Sequence, residues 1–159
     1  MKESTRRVVD ALEAAGVETR VVEFAESTRT AEEAATAVGT MVGRIVKSLV
    51  FVADGQPILA LVSGSNRLDT ARLSARLDCK IGRANADEVR RATGFAIGGV
   101  PPLGHAQPLP VYIDRDLTAY DMVYAAAGTP NTVFPIAPAD LIRVTSGTVL
   151  DLAERGERG

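Results

Sequence analysis

The chain is poor in the residues that most metal, redox and nucleophile chemistries require. Its 159 residues include one cysteine and one histidine, Cys79 and His105. A single cysteine excludes an intramolecular disulfide and fits a reducing compartment. One histidine beside one cysteine leaves no zinc-binding set. Any Ser-His-Asp triad would have to use His105, and the sequence offers it no partner. Aromatic residues make up 4% of the chain and tryptophan is absent, so the core must be built from Val, Leu, Ile and Ala. No apolar run approaches the roughly 20 residues of a membrane span. The charged start, Met-Lys-Glu-Ser-Thr-Arg-Arg, does not read as a signal peptide. No membrane association and a cytoplasmic location are therefore expected. The P-loop and dinucleotide fingerprints are both missing. A net charge of −2 excludes a globally basic, non-specific nucleic-acid binder but leaves room for a local basic patch.

What is present describes one folded domain, expected over residues 1–153 and followed by a charged, frayed tail at 154–159. Apolar residues reach 46% and mixed charges 24%, enough for a core and against disorder. Ser4 or Thr5 can cap a first helix that carries Val8, Val9, Leu12 and Ala15 and stops at Gly16. Val17–Phe24 reads as a strand. Thr30 with Glu33 forms a capping box for a helix Ala31–Val38. Arg44–Ala53 and Pro57–Val62 read as two strands joined by the turn signal Asp54-Gly55. A polar loop follows at 63–66. Leu68–Leu77 reads as a helix that Asp69 can cap, Cys79–Ile81 suggests a short strand, and Asp87–Thr93 reads as a helix capped by Asn85 or Asp87. Strands follow at Pro110–Ile113, Asp121–Ala126 and Thr132–Ile136, then a helix from Pro138 to Ile142. Val144-Thr145 and Val149-Leu150 suggest a last strand. Hairpins with short helices between them predict an α+β fold on a mixed or antiparallel sheet.

Two features carry candidate chemistry. The segment Gly94–His105, Gly-Phe-Ala-Ile-Gly-Gly-Val-Pro-Pro-Leu-Gly-His, holds four of the fourteen glycines, two of the eight prolines and the only histidine. Its prolines exclude a helix or a central strand, and its glycines allow close backbone approach. The expectation is a stiff, exposed loop, anchored through Phe95-Ala96-Ile97 and held opposite one lysine, Lys47. Strict alternation places Ile45, Lys47, Leu49 and Phe51 on one strand face, and Val46, Ser48, Val50 and Val52 on the other. Lys47 thus interrupts an apolar row. It either snorkels to solvent or reaches into a cleft as a point charge for a phosphate or carboxylate. Between Arg67 and Arg91, seven basic residues stand among four acidic ones. Such a stretch is a solvated, internally paired face or a track for phosphates.

Four segments, in this order, resemble the YbaK/ProX family, free-standing relatives of the editing domain inserted in bacterial prolyl-tRNA synthetases. They are Thr30-Ala-Glu-Glu-Ala-Ala, Ile45-Val-Lys-Ser-Leu-Val-Phe, Gly98-Gly-Val-Pro-Pro-Leu-Gly-His, and Gly128-Thr-Pro-Asn with Asp140-Leu-Ile. The resemblance implies a mixed, mostly antiparallel, barrel-like sheet flanked by short helices. It implies hydrolysis of the ester between a small wrong amino acid and the 3′-terminal adenosine of a tRNA, tRNA-Pro foremost. Lys47 would engage the terminal phosphate or ribose, with Ser48 beside it. Gly98, Gly99, Val100, Pro101 and Gly104 would line the pocket, His105 would lie just past them, and Gly128 to Asn131 would close it near the aminoacyl group. No cofactor or metal is implied. The partners would be the acceptor end of aminoacyl-tRNA and a prolyl-tRNA synthetase. The alternative is a non-catalytic module of the same fold that holds tRNA or a synthetase.

Overall fold

The structure, a computed structural model, describes residues 1–154. Five helices, α1 (Glu3–Ala14), α2 (Ala31–Val38), α3 (Thr70–Leu77), α4 (Ala86–Thr93) and α5 (Pro138–Thr145), alternate with eight strands. The strands are β1 (Val22–Glu23), β2 (Val46–Ala53), β3 (Gln56–Ser63), β4 (Ile81–Arg83), β5 (Val111–Asp114), β6 (Val123–Ala126), β7 (Thr132–Ile136) and β8 (Thr148–Leu150). They form two sheets, ordered β4-β2-β3-β5-β8 and β1-β7-β6. The α+β class and the mixed, mostly antiparallel pairing are as expected, with β3–β5 and β5–β8 the parallel pairs. The barrel is not closed. The two sheets meet at a single bridge between Ile45 and Tyr124.

The β2–β3 hairpin organises the larger sheet, pairing from Val46 with Ser63 to Ala53 with Gln56. Its two turn residues, Asp54 and Gly55, have φ of 51° and 80°, the positive pair that matches the twist of a tight hairpin. The hairpin divides the interior. Val46, Val50, Leu59 and Leu61 face a core shared with α1, β6 and β7. Phe51, Ala53, Ile58, Ala60 and Val62 face a second core covered by α3 through Leu73. Period-2 alternation therefore buries both faces, as a central hairpin requires.

Helix starts follow side-chain acceptors. Thr30 and Asn85 form full capping boxes with Glu33 and Glu88, and Asp69 accepts from the Arg72 amide. The first helix departs from expectation. It begins after Lys2, without a side-chain cap. Thr5, 3% exposed, turns inward beside Val8 and Leu12 and so is not a cap. Of the expected Val17–Phe24 strand, Val22–Glu23 pairs with β7 at Val133 and Thr132, and the Phe24 amide donates on to the Asn131 carbonyl. Arg44 belongs to a 3-10 turn, Val42–Arg44, so β2 starts at Val46. Cys79 caps the end of α3 through its amide to the Ser74 carbonyl, and the short strand begins at Ile81. Asp121 precedes β6, which opens at Val123. Val144 and Thr145 extend α5 and do not form a strand. Residues 155–159 of the expected frayed tail lie outside the described residues. Among the described residues, no helix is long and apolar enough to cross a membrane.

Candidate active site

Lys47 sits near the start of β2 on the face shared with Leu49 and Phe51. There it lines a cleft of about 750 Å³ whose wall includes Glu32, Ser65, Asn66, Arg67 and Arg83. Its ammonium donates to the Asn66 carbonyl. Burial lowers the Lys47 pKa; the negative charges of Glu32 and Asp114 oppose that shift, and the positive charge of Arg67 adds to it. Lys47 therefore does not snorkel into open solvent. It is a partly desolvated cation in a cleft with two more cations, Arg67 and Arg83, and Arg83 lies 6.0 Å over the Phe51 ring. The volume falls in the usual range of small-ligand sites.

The loop Ser63–Asn66 that presents the Asn66 carbonyl is held from behind by Asp114, which is 0% exposed. One Asp114 carboxylate oxygen accepts the Ser63 amide at 3.1 Å and the Asn66 side-chain amide at 2.8 Å. The other accepts the Asp116 amide at 2.9 Å. The Asn66 side chain also donates to Asp116 at 2.8 Å. A buried carboxylate is tolerated only when satisfied in this way. Gly64 is required by close approach, since a Cβ there would stand 2.4 Å from the Val42 carbonyl oxygen and 2.9 Å from the Ala31 Cβ. Sequence reasoning passed over Asn66, Asp114 and Glu32. Asp114 follows the expected strand Pro110–Ile113 in the run Asp-Arg-Asp, and nothing in one dimension shows that its carboxylate turns inward.

The other expected site residues gather elsewhere. Ser48 points to the opposite face of β2 from Lys47, and its hydroxyl is buried without a hydrogen-bond partner. None of the residues Gly94–His105 lines the Lys47 cleft. That loop is also not the exposed element expected. Phe95, Val100 and Leu103 are 1%, 5% and 7% exposed, and Pro101 and Pro102 are buried, while Ile97, expected as an anchor, is 60% exposed. Gly98, with φ of 94°, has open space around it. Gly99 packs so tightly that an added Cβ would lie 2.8 Å from Thr129 Cα. Gly104 lies against the Arg7 backbone of α1. Arg7 clamps the loop by donating to the Gly94 carbonyl at 2.9 Å and stacking 4.4 Å from the Phe95 ring centroid. His105 donates from Nε2 to the Pro101 carbonyl at 2.7 Å, since a carbonyl can only accept. Burial lowers its pKa, and that hydrogen bond opposes the shift.

The structure does bring the loop to the Gly128–Asn131 turn. Gly99 meets Thr129, Gly128 (φ 96°) meets the Ser4 carbonyl, and Asn131 donates to the Phe24 carbonyl at 3.1 Å. Of the basic stretch, Arg72 is paired with Asp69 and Asp151, whereas Arg67 and Arg83 enter the cleft. Among the described residues no group of three His, Cys, Asp or Glu side chains can hold a metal ion.

This architecture has close counterparts. A solved structure titled "Crystal structure of a putative trans-editing enzyme for prolyl tRNA synthetase" superposes with a TM-score of 0.93 at 51% identity, covering 98% of this chain and 99% of that one. The chain is 35% identical over 125 residues to "Uncharacterized protein YwhH" of Bacillus subtilis, covering 78% of this chain and 80% of that protein. It is 27% identical over 134 residues to "Putative Cys-tRNA(Pro)/Cys-tRNA(Cys) deacylase EbsC" of Enterococcus faecalis, covering 83% and 82%. The fold is thus that of an editing domain. Residues 25–144 match the model of the aminoacyl-tRNA editing domain, and the chain belongs to that family.

Proposed function

We propose that the chain hydrolyses mischarged aminoacyl-tRNA in trans, cutting the ester that joins a small wrong amino acid to the 3′-terminal adenosine of tRNA-Pro. The observation that carries this reading is the partly buried Lys47 in a cleft with Arg67 and Arg83, within a chain of the editing family. Three cations around one small cavity suit the terminal phosphates and ribose of an acceptor end. Compact recognition of that end also agrees with a net charge of −2, because few phosphate contacts are needed.

The chemistry makes modest demands. An aminoacyl ester is already activated. Water oxygen adds to the carbonyl carbon, the bond to the ribose oxygen breaks, and that oxygen leaves with a proton as the ribose hydroxyl. The protein must place the ester and stabilise the negative charge on the carbonyl oxygen. One fixed donor for such a charge is worth about 2.7–4 kcal/mol in other enzymes. Lys47 anchors the terminal nucleotide in this reading, with Arg67 and Arg83 in the same cleft. A synthetase that charges tRNA-Pro is the natural source of the substrate and a candidate partner.

A second reading, a module that binds tRNA without turnover, is favoured by one observation. Both candidate proton carriers are committed to carbonyls, Lys47 to Asn66 and His105 to Pro101. Deacylation of tRNA-Pro charged with alanine, cysteine, serine or proline, by wild type and Lys47→Ala, separates the two. Cleavage of one mischarged species that spares Pro-tRNA and vanishes in the variant is expected. Saturable tRNA binding with no cleavage of any species favours the module.

A further inference from the structure

Beside the Lys47 cleft lies a second cavity of about 750 Å³, between the 24–28 segment and α2. Its charged lining is acidic only: Glu26, Glu32 and Glu33. Glu32 lines both cavities, so the two meet at the first turn of α2. The carboxylates differ in how they are used. Glu33 is occupied by the helix cap, accepting the Arg29 and Thr30 amides at 2.9 and 3.2 Å. Glu32 is exposed. Among the described residues its carboxylate makes no ion pair, and Lys47 donates its hydrogen bond to the Asn66 carbonyl instead. Glu32 is nonetheless close enough for its charge to act on Lys47.

Charge is therefore ordered across the paired cavities. Lys47, Arg67 and Arg83 stand on one side, a free carboxylate stands at the junction, and an acidic hollow lies beyond. An aminoacyl ester carries charge in the same order. Its phosphodiester is anionic, its ribose ester is neutral, and its α-amino group is an ammonium. We propose that Glu32 binds the α-ammonium group of the esterified amino acid and so selects free aminoacyl ends over N-blocked ones. The amino-acid side chain then lies in the hollow beside Phe24 and Ala37. This inference rests on the deacylase reading and adds to it the group that reads the amino end.

The test uses a non-hydrolysable probe, a 3′-aminoacylamido-3′-deoxyadenosine 5′-phosphate, with its α-amino group free or acetylated. Binding is measured by calorimetry to wild type, Glu32→Gln and Glu26→Gln, with adenosine 5′-phosphate as reference. Acetylation removes the charge and its charge-assisted hydrogen bond, so it is expected to weaken wild-type binding roughly ten-fold or more. Glu32→Gln should bind both forms alike and hold adenosine 5′-phosphate at least as tightly as wild type, and Glu26→Gln should keep the discrimination. Equal wild-type binding of both forms overturns this inference and leaves the deacylase reading standing. So does discrimination that persists in Glu32→Gln. Failure of the probe and of adenosine 5′-phosphate to bind wild type overturns both.

Discussion

Two loops of this protein invite comparison. Gly94–His105 is conspicuous in sequence, with glycines, paired prolines and the single histidine. Ser63–Asn66, Ser-Gly-Ser-Asn, is a plain polar turn at the end of β3. The conspicuous loop is largely buried, clamped to α1 by Arg7 and stapled internally by His105. The plain one is drawn tight by a fully buried carboxylate and forms a wall of the cleft. Glycine and proline report unusual backbone geometry, which serves packing as readily as catalysis. A buried charge that fixes a loop is costly to maintain, and here it stands directly behind the cation that faces the cleft.

The largest effect expected from the contrast is at Lys47. Lys47→Ala should lower deacylation on the order of 10²–10³-fold, with a melting temperature close to wild type, because the lysine is only partly buried. A comparable loss of stability would move Lys47 from site to scaffold. Next is Asp114→Ala, which strands the Ser63 and Asp116 amides and one N–H of the Asn66 side chain, whose other acceptor is Asp116. A loss of about 3 kcal/mol of stability is expected, at about 1 kcal/mol per stranded group, read as a lower midpoint in urea.

The Gly-Pro loop should respond to size more than to chemistry. Gly99→Ala would drive a Cβ to 2.8 Å from Thr129 Cα, costing about 1–3 kcal/mol. Gly98→Ala meets no atom but keeps a positive φ and should cost only about 1 kcal/mol. Equal costs at the two positions would contradict the close approach to Thr129. The smallest effect concerns pH. With its folded pKa lowered by burial, His105 takes up its proton later in the folded than in the unfolded chain. Stability should fall as pH drops through the unfolded value of about 6.5. His105→Gln should flatten that part of the thermal stability profile, while an unchanged profile would remove His105 from the buried staple.

Much of the frame was legible in one dimension. The capping box at Thr30, the Asp54-Gly55 turn and the alternation along β2 are local patterns, set by geometry within a few residues. That alternation already separated Ser48 from Lys47, and the structure keeps them on opposite faces of the sheet. Less legible were the elements whose partners are distant. The Val17–Phe24 strand is shortened to Val22–Glu23, the two residues that pair with β7. Thr5, a reasonable cap by type, turned inward because α1 buries the face it shares with Val8 and Leu12.

By itself the sequence determined the α+β class, the central hairpin, the lysine that interrupts its apolar row and the resemblance to an editing family. Each of these is written in residue type and short-range spacing. Tertiary structure alone decided which residues surround Lys47. Asn66 lies 19 positions away, and Asp114 acts through hydrogen bonds spanning 48 and 51 positions. Such pairings exist only after β3 and β5 lie side by side in parallel. Whether a carboxylate faces water or the back of a loop depends on that packing, and no local pattern encodes it.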